Sequence, residues 1–258
     1  MAYRRFGRPG EFPMLLLNFF AAGMDDWDPR TTNGLATQRE VILFDNVGVA
    51  GSTGETPSTV ADMAKDCFDF CKALGLKKLD VLGFSLGGMI AQQLALHYPD
   101  MIRRMILIGT GPMGGEGMTF TELSFDDLKD PVALLMNSFF TSSDLSQAAG
   151  RAYLKRLQLR KTDRDAAVSM KSAGAQLDAI RKWGAVPSND RYAMLGKIRQ
   201  PALVVHGNKD VVVIPNNAFI LGQHLPDAQL VIYPDASHGA ASQHADFLLE
   251  HARLFLNA

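Results

Sequence analysis

Short apolar runs recur along the chain, and each holds four to six apolar residues without alternation. The runs are MLLLNFF (14–20), VILFD (41–45), LDVLGF (79–84), MILIGT (105–110), ALVVHG (202–207) and QLVIYP (229–234). Continuous apolar runs of this length are typical of strands buried on both faces, as in a parallel sheet covered by helices.

Helical patterns separate most of these runs. The segment 59–76 carries a stripe with a 3.6-residue period, which Gly75 ends, and its apolar positions are Val60, Met63, Ala64, Cys67, Phe68, Cys71 and Leu74. Three more helices are predicted over 87–100, 216–225 and 245–257. Strands that alternate with helices predict an α/β fold with a doubly wound, mostly parallel sheet.

One region breaks this alternation. No strand pattern occurs from about Met113 to Trp183, and helices are predicted over 130–140, 143–160 and 163–184. Asp130 and Ser143 are suitable N-caps for the first two helices. We therefore predict an α/β core formed by 1–112 and 191–258, with a helical insertion over 113–190.

Composition and charge narrow the range of partners. The chain has 258 residues, is 47% hydrophobic and has a formal net charge of −1. A balanced charge gives no indication of a nucleic-acid or anionic-membrane partner, and no apolar stretch reaches the ~18 residues of a membrane span. Neither a nucleic-acid partner nor a membrane is therefore expected.

The N-terminal region has two interpretations. Arg4, Arg5 and Arg8 precede an apolar run that small residues follow, which is the outline of a secretory signal. Gly10, Glu11 and Pro13 interrupt that outline, so a buried strand that enters a turn is favoured. The two cysteines, Cys67 and Cys71, are interpreted as core residues of a protein in a reducing compartment. We therefore expect a cytoplasmic protein, and we expect no metal site.

The stretch GFSLG (83–87) places Ser85 between two glycines, after a predicted strand and before a predicted helix. Gly-x-Ser-x-Gly in this context indicates a nucleophile elbow, a sharp turn that projects the serine oxygen from the strand end. Small residues are needed at 83 and 87 because neighbouring backbone passes close to them.

A serine nucleophile needs a base, and the base needs an acid that fixes its tautomer. Among the six histidines, His238 is favoured because it follows the final predicted strand in YPDASHGAAS. Asp210, after the strand ALVVHG, is the favoured acid, and Asp235 is better explained as a turn residue. The chain order Ser85, Asp210, His238 is the order of α/β-hydrolases. The oxyanion donors expected are the Leu86 N–H and an N–H from the loop NFFAAG after the first apolar run.

Over nearly its whole length the chain resembles the α/β-hydrolase superfamily, and especially its bacterial esterases and cofactor-free haloperoxidase-like perhydrolases. The resemblance rests on GFSLGG, on WDP at 27–29, on HGNKDVVVIP and on PDASHG. It implies that Ser85 is the nucleophile, His238 the base and Asp210 the acid. It also implies that Leu86 and Phe20 form the oxyanion hole, and that the helices after 113 form a lid.

Three features depart from the family pattern. Asn18 and Phe19 stand where the family has His-Gly before its oxyanion residue, and the loop after Asp45 lacks the usual arginine. The segment AYRRFG resembles the family's second strand, which implies a sheet without the first edge strand, or an edge covered by a partner chain.

The activity implied is hydrolysis of a small, largely apolar carboxylic ester, without a cofactor. Perhydrolysis or carbon–carbon bond chemistry by the same triad, and a non-catalytic ligand receptor, are the alternatives. A homo-oligomer is compatible with the sequence. The candidate pocket residues come from the elbow, the oxyanion loop and the lid, and they are Phe19, Trp27, Phe84, Met89, Met113, Met136, Phe139 and Phe140.

Overall fold

The computed structural model describes residues 1–118, 130–185 and 192–258, and within these residues seven strands form one sheet. The strands are β1 (Tyr3–Gly7), β2 (Met14–Leu17), β3 (Glu40–Phe44), β4 (Leu79–Phe84), β5 (Ile102–Ile108), β6 (Ala202–Gly207) and β7 (Ala228–Tyr233). Their order across the sheet is β1-β3-β2-β4-β5-β6-β7. Only β1 is antiparallel to its neighbour, and the predicted doubly wound, mostly parallel sheet is therefore confirmed.

Helices cover both faces of this sheet. They are α1 (Pro29–Ala36), α2 (Val60–Ala73), α3 (Leu86–His97), α4 (Pro131–Phe139), α5 (Asp144–Leu157), α6 (Met170–Gly184), α7 (Asn216–His224), α8 (Ala240–Gln243) and α9 (Ala245–Asn257). Helix α2 begins where the Thr59 side chain accepts from the Asp62 N–H, and Gly75 follows its end with a φ of +71°. No helix in the described ranges is long and apolar enough to cross a membrane.

The alternating side chains of the strands divide the core into two layers. Leu15, Leu17 and Ile42 point to the face covered by α2 and α3, whereas Met14, Leu16 and Val41 point to the face covered by α1 and α9. All six are fully buried. Because helices cover both faces, the strands have continuous apolar sequences. The apolar run at 14–20 contains the buried strand β2.

The chain between β5 and β6 contains α4, α5 and α6, as the sequence predicts. Parts of the predicted lid, 119–129 and 186–190, lie outside the described residues, and the exact limits of the insertion stay a prediction. One boundary was wrong: α6 begins at Met170, after the Ser169 cap, and not at 163. The residues before it are not helical: Asp163 has a φ of +48°, and Asp165 is hydrogen-bonded to Asp25 in the loop after β2.

That binding segment holds α5 and α6 against the loop after β2. The backbone N–H of Asp25 donates to the Asp165 carboxylate at 2.8 Å, and the Asp165 N–H donates to the Asp25 carboxylate at 2.7 Å. Arg4 of β1 forms ion pairs with both carboxylates, at 2.7 and 3.0 Å. The Tyr153 hydroxyl of α5 donates to the Asp26 carbonyl at 2.8 Å.

Candidate active site

Ser85 occupies the junction between β4 and α3 with φ +53° and ψ −114°, a conformation that non-glycine residues rarely adopt. Such a conformation costs about 1–3 kcal/mol and persists only where surrounding contacts fix it. The Ser85 N–H donates to the Ile108 carbonyl at 2.9 Å, and the Thr110 hydroxyl donates to the Ser85 carbonyl at 2.8 Å. Neighbouring β5 and its following loop therefore hold the backbone on both sides of the serine.

The flanking glycines are required by close backbone approach. A Cβ at Gly83 would lie 2.6 Å from the carbonyl carbon of Gly87 and 2.7 Å from the Gly88 nitrogen. A Cβ at Gly87 would overlap the carbonyl of Leu17, at the end of β2. The elbow is therefore packed against the strand whose following loop is the predicted source of an oxyanion donor.

His238 and Asp210 form a buried hydrogen-bonded pair. The distance from His238 Nδ1 to Asp210 Oδ2 is 2.8 Å. The other carboxylate oxygen, Oδ1, accepts the N–H groups of Val212 and Val213 at 2.8 and 2.9 Å. Burial alone would raise the pKa of Asp210, but the facing His238 and His206 rings outweigh it and hold that pKa well below its ordinary value. Asp210 is thus an ionised carboxylate that is hydrogen-bonded to His238.

The loop that carries His238 is attached to the insertion. The His238 N–H donates to the Ser138 carbonyl at 3.2 Å, and the Gly239 N–H donates to the Phe139 carbonyl at 2.9 Å. Asp235, the alternative acid, instead accepts hydrogen bonds from the Thr141 hydroxyl at 2.7 Å and the Ser143 hydroxyl at 2.5 Å. Asp235 therefore anchors the loop, as a turn residue would, and does not contact the His238 ring.

Ser85 and His238 lie at the same edge of the sheet. The His238 ring packs over Gly109, which follows β5, so that a Cβ at Gly109 would be 3.2 Å from Nδ1. It also lies against Phe84, the residue before the serine, with 5.0 Å between ring centroids. Among the described residues, the Ser85 hydroxyl has no hydrogen bond to His238. Hydrogen bonds of catalytic groups are often long without substrate and shorten in the bound complex.

The loop after β2 is fixed by side chains of both the core and the insertion. The Asn18 amide donates to the carbonyls of Ala22 and Phe44 at 3.3 and 3.0 Å, and its oxygen accepts the Trp27 indole N–H at 2.5 Å. The Ala21 N–H donates to the side-chain oxygen of Gln176 in α6 at 2.8 Å. That N–H is therefore occupied, which leaves Phe20, the predicted oxyanion donor, and the neighbouring Phe19 as the candidates.

The candidate pocket residues separate into groups. Phe19, Phe84 and Phe139 form an aromatic cluster beside His238, with ring centroids 4.9 to 5.5 Å apart, and Trp27 lies 6.3 Å from Phe84. Phe20 and Met113 are partly buried against the opposite core layer. Met89 and Phe140 are almost completely buried core side chains, and Met136 packs partly buried against the layer that contains Phe140.

The loop after β3, which lacks the family's arginine, centres on Asp45. Its carboxylate accepts the Met24 N–H at 2.8 Å and the Gly51 N–H at 3.0 Å. Burial raises the pKa of Asp45 to about 6, and the nearby Asp165 carboxylate adds to this shift. Asp45 thus connects the loop after β3 to the loop after β2 at the carboxyl edge of the sheet.

Two contacts at this edge are not evident from the sequence. Gln176 holds the loop after β2, and His206 of β6 contacts the Asp210 carboxylate. Nothing in the local sequence distinguishes Gln176 from a solvent-facing helix residue. The imidazole inside the buried run ALVVHG was the one available signal for His206, because a buried polar group needs a partner.

Comparisons with known proteins show the family of the chain. The family model described as alpha/beta hydrolase fold matches residues 13–245. A solved α/β-hydrolase fold protein from Chitinophaga pinensis is 40% identical, with a TM-score of 0.94 over 99% of this chain and 93% of that one.

Curated relatives are similar over shorter or more divergent alignments. The human serine hydrolase BPHL is 26% identical over 98% of this chain and 82% of its own length. A pimeloyl-[acyl-carrier protein] methyl ester esterase from Nitrosomonas europaea is 31% identical over 62% of this chain and 64% of its own. Bromoperoxidases are among the structural neighbours at 20% identity, which shows the shared fold alone. The chain belongs to the α/β-hydrolase family, and it is a hydrolase.

Proposed function

We propose that this hydrolase cleaves a small, largely apolar carboxylic ester by two-step acyl transfer, with Ser85 as nucleophile, His238 as general base and Asp210 as the acid. One observation carries the proposal: His238, in its buried 2.8 Å pair with Asp210, packs against Phe84, the residue before the strained Ser85. A strained serine at a strand end and an imidazole aligned by a carboxylate are the two halves of this machinery.

In the first step His238 removes the hydroxyl proton as Ser85 Oγ attacks the ester carbonyl carbon. The tetrahedral oxyanion is stabilised by the Leu86 N–H, at the beginning of α3, and by the N–H of Phe20 or Phe19. The first N–H groups of a helix have no intrahelical acceptor, so the Leu86 N–H is free for this role. The alcohol then leaves with the proton from His238.

In the second step water attacks the acyl-enzyme, with His238 again as base, and the carboxylic acid leaves as Ser85 regains its proton. Asp210 stays ionised throughout, because its low pKa opposes proton transfer from His238. It stabilises the imidazolium that forms in each step and fixes the hydrogen on Nδ1.

An apolar acyl or alcohol group is favoured by the aromatic surface beside His238. Phe84 and Phe139 pack against the His238 ring, with centroids 5.0 and 5.5 Å away, and Phe19 packs against both of these phenylalanines. A charged substrate group would lose its hydration there without a partner.

The proposal is tested with p-nitrophenyl esters of increasing acyl length. Ser85→Ala is expected to lower kcat/KM by at least ~10³-fold, as for other triad nucleophiles, with an unchanged melting temperature. Turnover near the wild-type rate in this variant would refute the assignment. Assays with added hydrogen peroxide separate hydrolysis from perhydrolysis, and failure of a fluorophosphonate to label the wild-type protein would favour a ligand receptor.

A further inference from the structure

A second histidine contacts the carboxylate that orients His238. His206 belongs to β6, four residues before Asp210, and both side chains are completely buried. Its Nε2 atom lies 3.1 Å from Asp210 Oδ2 and 2.7 Å from the Val213 carbonyl oxygen. The same Asp210 oxygen accepts from His238 Nδ1, so two imidazoles share one carboxylate oxygen.

The partners of His206 fix where its hydrogen lies. Both neighbours of Nε2 are acceptors, so Nε2 must carry a hydrogen, which the two oxygens share. The other ring nitrogen, Nδ1, is buried and has no hydrogen-bond partner among the residues that the structure describes. A hydrogen there would be a buried, unsatisfied donor, so the geometry assigns a neutral ring that donates through Nε2.

The contact also closes a small ring of hydrogen bonds. Val213 gives its carbonyl to His206 and its N–H to Asp210 Oδ1, at 2.7 and 2.9 Å. Asp210 is consequently held from β6 on one side and from the chain that follows it on the other. The titratable groups that face this carboxylate are His206 and His238.

We infer that His206 is a positioning residue, which holds Asp210 Oδ2 in line with His238 and withdraws negative charge from it. This inference rests on the triad proposed above. A hydrogen bond donated to a carboxylate stabilises its charged form and makes it a weaker acceptor for its other partners. His206 therefore sets how strongly Asp210 stabilises the protonated His238 ring. It thereby also sets the pH above which the ring of His238 can accept the Ser85 proton.

The variants His206→Leu and His206→Gln test this role. Leucine fills similar space without a donor, whereas the glutamine Nε2 is as many bonds from Cβ as the imidazole Nε2 and donates in its place. In H206L, Asp210 attracts the imidazolium proton more strongly. The acid limb, which is the fall of kcat/KM on the low-pH side of its profile, should therefore move about half a pH unit upward. We expect kcat to fall about tenfold with KM changed less than about twofold, and H206Q to restore both the limb and most of kcat.

A readout independent of turnover accompanies the kinetics. The proton between His238 Nδ1 and Asp210 should give a low-field NMR signal, which moves further downfield in H206L and returns toward its original position in H206Q. Should H206L not fold, His206→Asn replaces it, since asparagine is too short to reach the carboxylate.

Two results would overturn the inference. One is an acid limb and a proton signal that do not move in H206L. The other is an equal loss of kcat in H206L and H206Q that follows their melting temperatures, as for a purely structural side chain. Fluorophosphonate labelling of Ser85 keeps this failure distinct from failure of the triad, because it is measured on the wild-type protein and uses no His206 variant.

Discussion

Gly87→Ala should disable the active site through a single methyl group. In the wild-type protein, Gly87 is the second residue after Ser85, where the first turn of α3 crosses the end of β2. An added Cβ would lie within 3.0 Å of three atoms of Leu17, with the Leu17 Cβ at 2.9 Å. Ordinary contact begins at 3.4 Å, so the two backbones must separate by about half an ångström for that atom and by more for the carbonyl.

That separation acts on the reacting groups. The loop after β2 is the proposed source of the second oxyanion donor and α3 that of the first, so the two proposed donors move apart as the clash is relieved. Misplacement of about 1 Å in a catalytic site costs about 10²-fold in rate. We expect G87A to lower kcat by at least about 10²-fold, and overpacking to cost about 1–3 kcal/mol of stability.

The assay compares p-nitrophenyl ester turnover and melting temperature in G87A with those of a matched variant, Gly196→Ala. A Cβ at Gly196 would meet no atom of the described residues within 4 Å, and the Gly196 backbone is not in the left-handed region. G196A should keep the wild-type rate within about twofold. If G87A retained more than half of the wild-type kcat, the reasoning that links the glycine to the oxyanion geometry would be refuted.

Two further predictions concern the loops around the site. Gln176→Leu removes the acceptor of the Ala21 N–H and loosens the loop after β2, so kcat should fall about tenfold, whereas Gln176→Glu keeps an acceptor oxygen and should lose less. A KM effect without a kcat effect would contradict this. Asp45 has a pKa of about 6 in the folded protein against about 3.9 unfolded, so the folded state binds more protons between these values. The free energy of unfolding, relative to that of Asp45→Asn, should therefore fall by about 1–3 kcal/mol as pH rises from about 4 to about 7 in urea titrations. A difference independent of pH would argue against a carboxylate whose pKa is raised by burial.

Much of the fold follows from the sequence because burial on both faces leaves a plain signal. The six apolar runs all form strands, and the stripe over 59–76 forms α2. The helix α1 was not predicted: it has only eight residues, with Asp28 as cap and Pro29 in its first position. The error at 163–169 has a different cause, since Asp165 uses its N–H and carboxylate to bind Asp25, which is 140 residues away.

The candidate site, like the fold, has parts that the sequence predicts and parts that it does not. Ser85 and its glycines are local features, because the motif, the strand before it and the helix after it are contiguous. His238 and Asp210 required knowledge of which strand ends meet, which the alternating pattern supplies. The contacts of His206 and Gln176 depend on how β6 and α6 pack, and no spacing in the sequence encodes them.

The central claim is that Ser85 is a nucleophile activated by His238. It is tested most directly by treating wild-type, Ser85→Ala and His238→Ala proteins with a fluorophosphonate and locating the adduct by peptide mass spectrometry. We predict one phosphonyl group on Ser85 in the wild-type protein, none in S85A, and labelling slower by at least about 10²-fold in H238A. An adduct on another residue, or equal labelling rates in wild-type and H238A, would contradict the account.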